Sequence, residues 1–169
     1  MVLAIDWLSK VELLEVGRLS DTDTDGIDDR SALFVTSHAW ALESATHVTI
    51  IAVDDPDGRR VKARFASSSA LVAMKLHAIQ DRSDRAASIK RGSDAWDLFR
   101  LLSDLDNDGA VSGGFADASS TLRRLTLDAA QRVLVDGANR TVGWMRIADV
   151  GITADELRYV ATRFIEAID

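Results

Sequence analysis

A lysine set into an apolar helix-forming run, followed by a second run that offers two aspartates, constrains this chain more than any other feature. Residues 67–102 read SSSALVAMKLHAIQDRSDRAASIKRGSDAWDLFRLL. Between positions 70 and 79 only Lys75 and His77 interrupt the apolar pattern. That predicts a buried helix, capped by Ser67, Ser68 or Ser69 and ending near residue 82. After a polar, arginine-rich bend over 83–93, Ser93 is expected to cap a second helix running to about residue 104. Asp94 and Asp97 are three residues apart and so share one face of it. A buried ammonium is costly unless a carboxylate, a phosphate or a solvated pocket receives it. The stretch therefore reads as the wall of a polar pocket.

The rest of the chain can be placed around this pair. Residues 2–16 end in VELLEVG and lean to a strand, which Gly17 stops. SDTDTDGIDD is a polar loop, and ALFVTSHAWALES over 32–44 reads as a helix. THVTIIAV over 46–53 is β-branched, DDPDG is a turn signal, and RRVKARF alternates with a period of two. The two runs predict a β-hairpin. Leucines 122, 125, 127 and 134 predict a helix over 116–135 with Arg123, Arg124 and Arg132 outward, and GANRTVGW reads as a turn. Residues 153–168 carry a Thr153/Glu156 capping box and an apolar stripe of Leu157, Val160, Phe164 and Ile165. The fold class is α+β: a small mixed sheet with helices, then a helical C-terminal half. A single domain spans 1–169, β-rich over 1–66 and helical over 67–169.

Charge narrows the partners. A net charge of −7 argues against non-specific nucleic-acid binding by the whole surface. Base is concentrated, however, in Arg59, Arg60, Lys62 and Arg64 and again in Arg82, Arg85, Lys90 and Arg91, flanking the lysine helix on both sides. These clusters read as solvated faces or as phosphate-facing ones. The absence of cysteine excludes disulfides and thiolate metal sites. With no apolar run of about eighteen residues and no basic leader, the expectation is a cytoplasmic protein without a membrane span.

Two acidic stretches invite a metal reading. Asp21, Asp23, Asp25 and Gly26 match the opening of an EF-hand-type loop, as do Asp104, Asp106, Asp108 and Gly109, with Val111 at the apolar eighth place. Alternate short carboxylates can converge on one calcium ion while the glycine allows the turn. The twelfth place, where a bidentate glutamate closes the sphere, holds Ala32 in one and Phe115 in the other. His38, His47 and His77 are the only histidines and none lies four residues from another, so each reads as a packed or surface residue. HExxH, G-x-S-x-G and phosphate-cradling glycine loops are absent.

Lys75-Leu76-His77-Ala78, then Arg82, then Lys90-Arg91 and Asp94-Ala95-Trp96-Asp97-Leu98 follow the pattern K-h-x-A-x-x-x-R, basic loop, D-x-x-D-L. Over about 46–105, including the hairpin before ASSSALVAMK, the chain resembles the back half of the AbiEii/MenT nucleotidyltransferases of toxin–antitoxin systems. The resemblance implies a nucleotidyltransferase fold that uses a nucleoside triphosphate with Mg2+ and adds nucleotides to a tRNA acceptor end or another target. It implies Lys75 and Arg82 as triphosphate ligands, Asp97 and Asp94 as shapers of the same catalytic pocket, and a cognate antitoxin as partner. The family's first motif, G-[GS] followed by a metal-binding D-x-D, does not occur, and Asp6 in AIDWL is the one match to a later metal carboxylate. The chain thus reads as a shortened or degenerate member. An unpaired strand edge would favour a homodimer. The runner-up from another class is a non-catalytic interaction module whose acidic loops bind calcium.

Overall fold

Asp28 begins the first helix. Its carboxylate accepts from the backbone N–H groups of Arg30 and Ser31 and from the Ser31 hydroxyl, which satisfies donors that a helix start leaves open. The helix, α1, spans Asp29–Glu43 and so starts three residues before the expected boundary at 32, because the DD pair supplies the cap. The computed structural model describes residues 26–51, 59–81, 88–105, 108–146 and 151–169. The strand expected over 2–16, the hairpin tip, Asp6, Asp21, Asp23, Asp25, Arg82 and Asp106 lie outside the described residues.

The hairpin forms as expected. β1 (Thr46–Ile51) pairs antiparallel with β2 (Arg60–Phe65), Thr46 opposite Phe65 and Ile51 opposite Arg60. Arg64 donates to the Leu42 carbonyl and so ties β2 to the end of α1. Among the described residues this pair is the whole sheet. The fold is α+β, a small sheet followed by a helical C-terminal half.

α2 (Ser68–Asp81) carries Lys75. Ser67 is the cap, accepting from the backbone N–H of Ala70 at 3.2 Å. Ser69 instead turns inward and donates to the Val111 carbonyl at 2.7 Å. Val72, Ala73, Leu76 and Ile79 are buried. α3 spans Ser88–Arg100 and relaxes into a π-helical turn, Leu101–Leu105. It therefore begins five residues before the expected Ser93, whose hydroxyl bonds back to the Lys90 carbonyl at 2.9 Å. Residues 88–92, read as part of a bend because of their charge, are helical because one side of them packs on the helix Ala138–Met145.

After a short helix, α4 (Ala110–Gly113), and a 3-10 turn (Gly114–Asp117), Ser119 caps α5 (Ser120–Ala130), which passes into a second π-helical turn, Gln131–Asp136. The single helix expected over 116–135 is thus divided, since Ala118 is extended ahead of the Ser119 cap. Residues 137–144, expected as a turn, hold most of α6 (Ala138–Met145). The glycines and Asn139 suggest a loop, but Ala138, Thr141, Val142 and Met145 fall on one stripe and are all buried. α7 (Ala154–Ile168) has the expected Thr153/Glu156 capping box, and Leu157 and Phe164 are fully buried.

One core joins α1 to α7. Phe115 belongs to it, its ring centroid 5.1 Å from that of Trp40 and 5.6 Å from that of Phe164, and Leu76, Leu98, Leu125 and Leu134 are further members. The hairpin stands outside this core: Val48, Ile50, Ile51, Val61 and Phe65 are exposed among the described residues. No described helix is long and apolar enough to cross a membrane.

Candidate functional site

α2 and α3 lie side by side, and their polar residues meet at one point. Lys75 Nζ donates to Asp94 Oδ1 at 2.7 Å and to Asp97 Oδ2 at 2.8 Å. These distances are those of short charge-assisted hydrogen bonds. The side chains are 3% exposed for Asp94, 26% for Lys75 and 47% for Asp97, so the triad runs from the interior to solvent. An ammonium has three N–H donors, and the two carboxylates take two of them. The remaining one is available on the wetter side. The predicted pairing of one lysine with two carboxylates is therefore present.

That wetter side opens on a cavity of about 350 Å3 lined by Leu71, Lys75, Asp97, Arg100, Leu101 and Asp104. Its charges alternate, two cations against two carboxylates, beside apolar wall from the two leucines. Arg100 and Asp104 face each other at 3.8 Å. Leu71 is also a wall of a second cavity of about 220 Å3, which has His38 of α1, Met74 of α2 and Arg64 of β2 in its lining. Arg100 is placed by the packing of α3 on α2, and Arg64 by its hydrogen bond to the Leu42 carbonyl at the end of α1. His38 Nδ1 donates to the Phe34 carbonyl at 2.8 Å. Burial pushes the His38 pKa below the ordinary imidazole range, and that hydrogen bond offsets part of the effect. His77 sits against Phe34 at 5.0 Å and 6.4 Å from His38, so two of the histidines are packed aromatic residues as expected.

Asp104 and Asp108, the described aspartates of the acidic stretch after α3, have partners within the fold. Asp104 faces Arg100, and Asp108 Oδ1 accepts from the Ala110 backbone N–H at 3.1 Å. Gly109 takes the left-handed conformation that the turn requires, with φ of 76°. Val111 and Phe115, the eighth and twelfth places of the loop, are buried in the core. Among the described residues no group of three or more His, Cys, Asp or Glu is placed to share a metal ion. Asp94 and Asp97 hold an ammonium between them, on the oxygens a divalent cation would need, so this pair does not fit Mg2+.

No family model, curated protein or solved structure matches the chain.

Proposed function

We propose that the chain is a nucleotidyltransferase-like protein of toxin–antitoxin type whose Lys75 cavity receives the phosphates of a nucleoside triphosphate. One observation carries the reading: Asp94 and Asp97 converge on a half-buried lysine that keeps an N–H donor at the mouth of a cavity. A purely structural ion pair between core helices needs only one buried carboxylate. Here Asp94 anchors the ammonium from inside, and Asp97 orients it from the solvent edge. A point charge with a free donor suits dispersed phosphate oxygens, Arg100 lies on the same wall, and the leucine surface offers apolar cover for a nucleoside. Phosphoryl-type chemistry depends mainly on positioning and charge neutralisation. Transfer to an RNA (tRNA) acceptor additionally needs metal carboxylates, a role the Asp94–Asp97 pair does not fit. A cytoplasmic location, a cognate antitoxin and a homodimer belong to the same proposal.

The test is thermal denaturation with ATP, GTP, CTP or UTP, each with Mg2+, beside Ca2+ alone. At a ligand concentration of about 100 Kd, binding adds about 2.7 kcal/mol of stability, which is a readily measured rise in Tm. One triphosphate should produce it in the wild type and not in Lys75→Ala. Asp97→Asn, changed at the solvent edge, should fold normally and weaken the shift. A folded wild type that responds to none of the four sinks the proposal, and a response to calcium alone favours the acidic-loop module.

A further inference from the structure

A second cation-rich hollow lies at the other end of the α2–α3 pair, where arginines outnumber carboxylates. It has a volume of about 580 Å3, and Arg30, Arg91, Arg132 and Arg140 contribute to its lining together with Trp144. The Arg91 guanidinium lies 4.7 Å from the centroid of the Trp144 ring and that of Arg140 lies 5.5 Å from it. Stacking of this kind holds a guanidinium in a fixed plane while leaving its edge N–H groups free to donate. Among the described residues Arg91, Arg132 and Arg140 form no ion pair, and Arg91 Nε is buried with no hydrogen-bond partner.

Two acids also line the hollow, Asp28 and Asp29; they offset part of its positive charge, and each is held by other partners. Asp28 caps α1 through three hydrogen bonds, and Asp29 faces Arg124 at 3.6 Å. Arg30 is loosely compensated by Asp81 at 4.0 Å. The three remaining arginines come from three elements: α3, the π-helical turn after α5, and α6.

Gly92 is the device that brings them together. A Cβ at this position would lie 2.5 Å from the Trp144 carbonyl oxygen. Glycine is unfavourable within a helix by about 1 kcal/mol relative to alanine, and here its presence permits the close approach of α3 to α6. That approach seats Arg91 on Trp144.

We infer that this hollow is a binding site for phosphate groups, in which Arg91, Arg132 and Arg140 converge on the oxyanion and Trp144 keeps two of the guanidiniums in place. Planar guanidiniums from different directions match the several oxygens of one phosphate or of two adjacent ones. The same chemistry is offered by a free polyphosphate and by the backbone of a single nucleic-acid strand. This inference is independent of the Lys75 reading.

The experiment uses the full chain and two probes, sodium tripolyphosphate and a twelve-nucleotide oligouridylate, followed by tryptophan fluorescence and by heat of binding. Both Arg132→Gln and Arg140→Gln should weaken binding about tenfold or more, the loss expected for one charge-assisted contact. Arg163→Gln, on the exposed surface of α7 and away from the hollow, should leave it unchanged, and so should Lys75→Ala for the part of the signal that depends on Arg132. Trp144→Phe should abolish the fluorescence change while far-UV circular dichroism stays native. Binding of tripolyphosphate with this pattern identifies a free anion as sufficient, and binding of the oligonucleotide alone identifies strand phosphates. The site is overturned if neither probe binds, or if Arg163→Gln weakens binding as much as Arg132→Gln does.

Discussion

Lys75 and Arg91 sit on neighbouring helices of the same packed pair, but their surroundings treat positive charge in opposite ways. Lys75 is met by two carboxylates at hydrogen-bond distance. Arg91 is met by an aromatic face and by two more arginines around one hollow. The first arrangement balances its charge within the fold, and a ligand meets an ammonium with one donor left. The second is incomplete by itself, since stacked guanidiniums gain most when an anion arrives. The first should therefore matter more for stability and the second more for binding.

The largest effect expected from that contrast is on stability. Asp94 is almost wholly enclosed, and Asp94→Ala leaves Lys75 with the solvent-edge carboxylate alone. Breaking a buried pair from one side typically costs about 3–5 kcal/mol. The lower end of that range is expected here because Lys75 is partly wet and keeps Asp97. Urea denaturation would measure it. Arg132→Gln, on the exposed side of the other site, should stay within about 0.5 kcal/mol of the wild type. If the two losses are equal, the contrast between a carboxylate-anchored cation and one left to face solvent fails.

Next is Gly92→Ala. Helix propensity alone predicts a gain of about 1 kcal/mol, but the added methyl meets a backbone carbonyl that cannot rotate away. Overpacking of this kind costs about 1–3 kcal/mol, so a net loss is expected, together with weakened tripolyphosphate binding. A more stable variant with intact binding would show that the helices separate freely. Thr141→Val is expected to be milder. Thr141 donates to the Val133 carbonyl at 2.7 Å in a buried setting and so fastens the turn that carries Arg132 to the helix that carries Arg140. Loss of that hydrogen bond should cost about 1 kcal/mol and reduce phosphate binding, with triphosphate binding at Lys75 unaffected.

The two sites also differ in how far they could be read in advance. The lysine site was legible because both partners lie within one contiguous stretch. An i, i+3 aspartate pair after a lysine helix leaves few ways to bury the cation. The capping box of α7 and the hairpin were legible for the same local reason. The arginine site was not, because its members lie at 91, 132, 140 and 144 and meet only through tertiary packing. Two local readings also concealed it: residues 88–92 looked like a charged bend, and 137–144 looked like a glycine-rich turn. The Ala138, Thr141, Val142, Met145 stripe was the one signal in the sequence that α6 exists, and two glycines and an asparagine outweighed it.

The smallest effect concerns pH, and it separates the two sides again. His38 adjoins the Lys75 side through the cavity it shares with Leu71. Burial holds its folded pKa below the ordinary value near 6.5, so on acidification the unfolded chain takes up this proton first. Stability from this group is complete above about pH 6.5, declines as the pH falls below it, and levels off under the folded pKa. On the arginine side, hydrogen bonds from Ser31 and Arg30 hold the Asp28 carboxyl below the usual carboxylate range. Its cap contributes fully above an unfolded pKa of about 3.9 and is lost only in stronger acid, as the pH falls through the folded value. Scanning calorimetry at pH 7.5, 6.5 and 5.5 should therefore show Tm falling in the wild type and falling less in His38→Gln, which keeps a neutral donor for the Phe34 carbonyl. Parallel declines in the two proteins would mean that His38 protonates in place without a penalty, and that the Lys75 side is no more sensitive to acid than the arginine side.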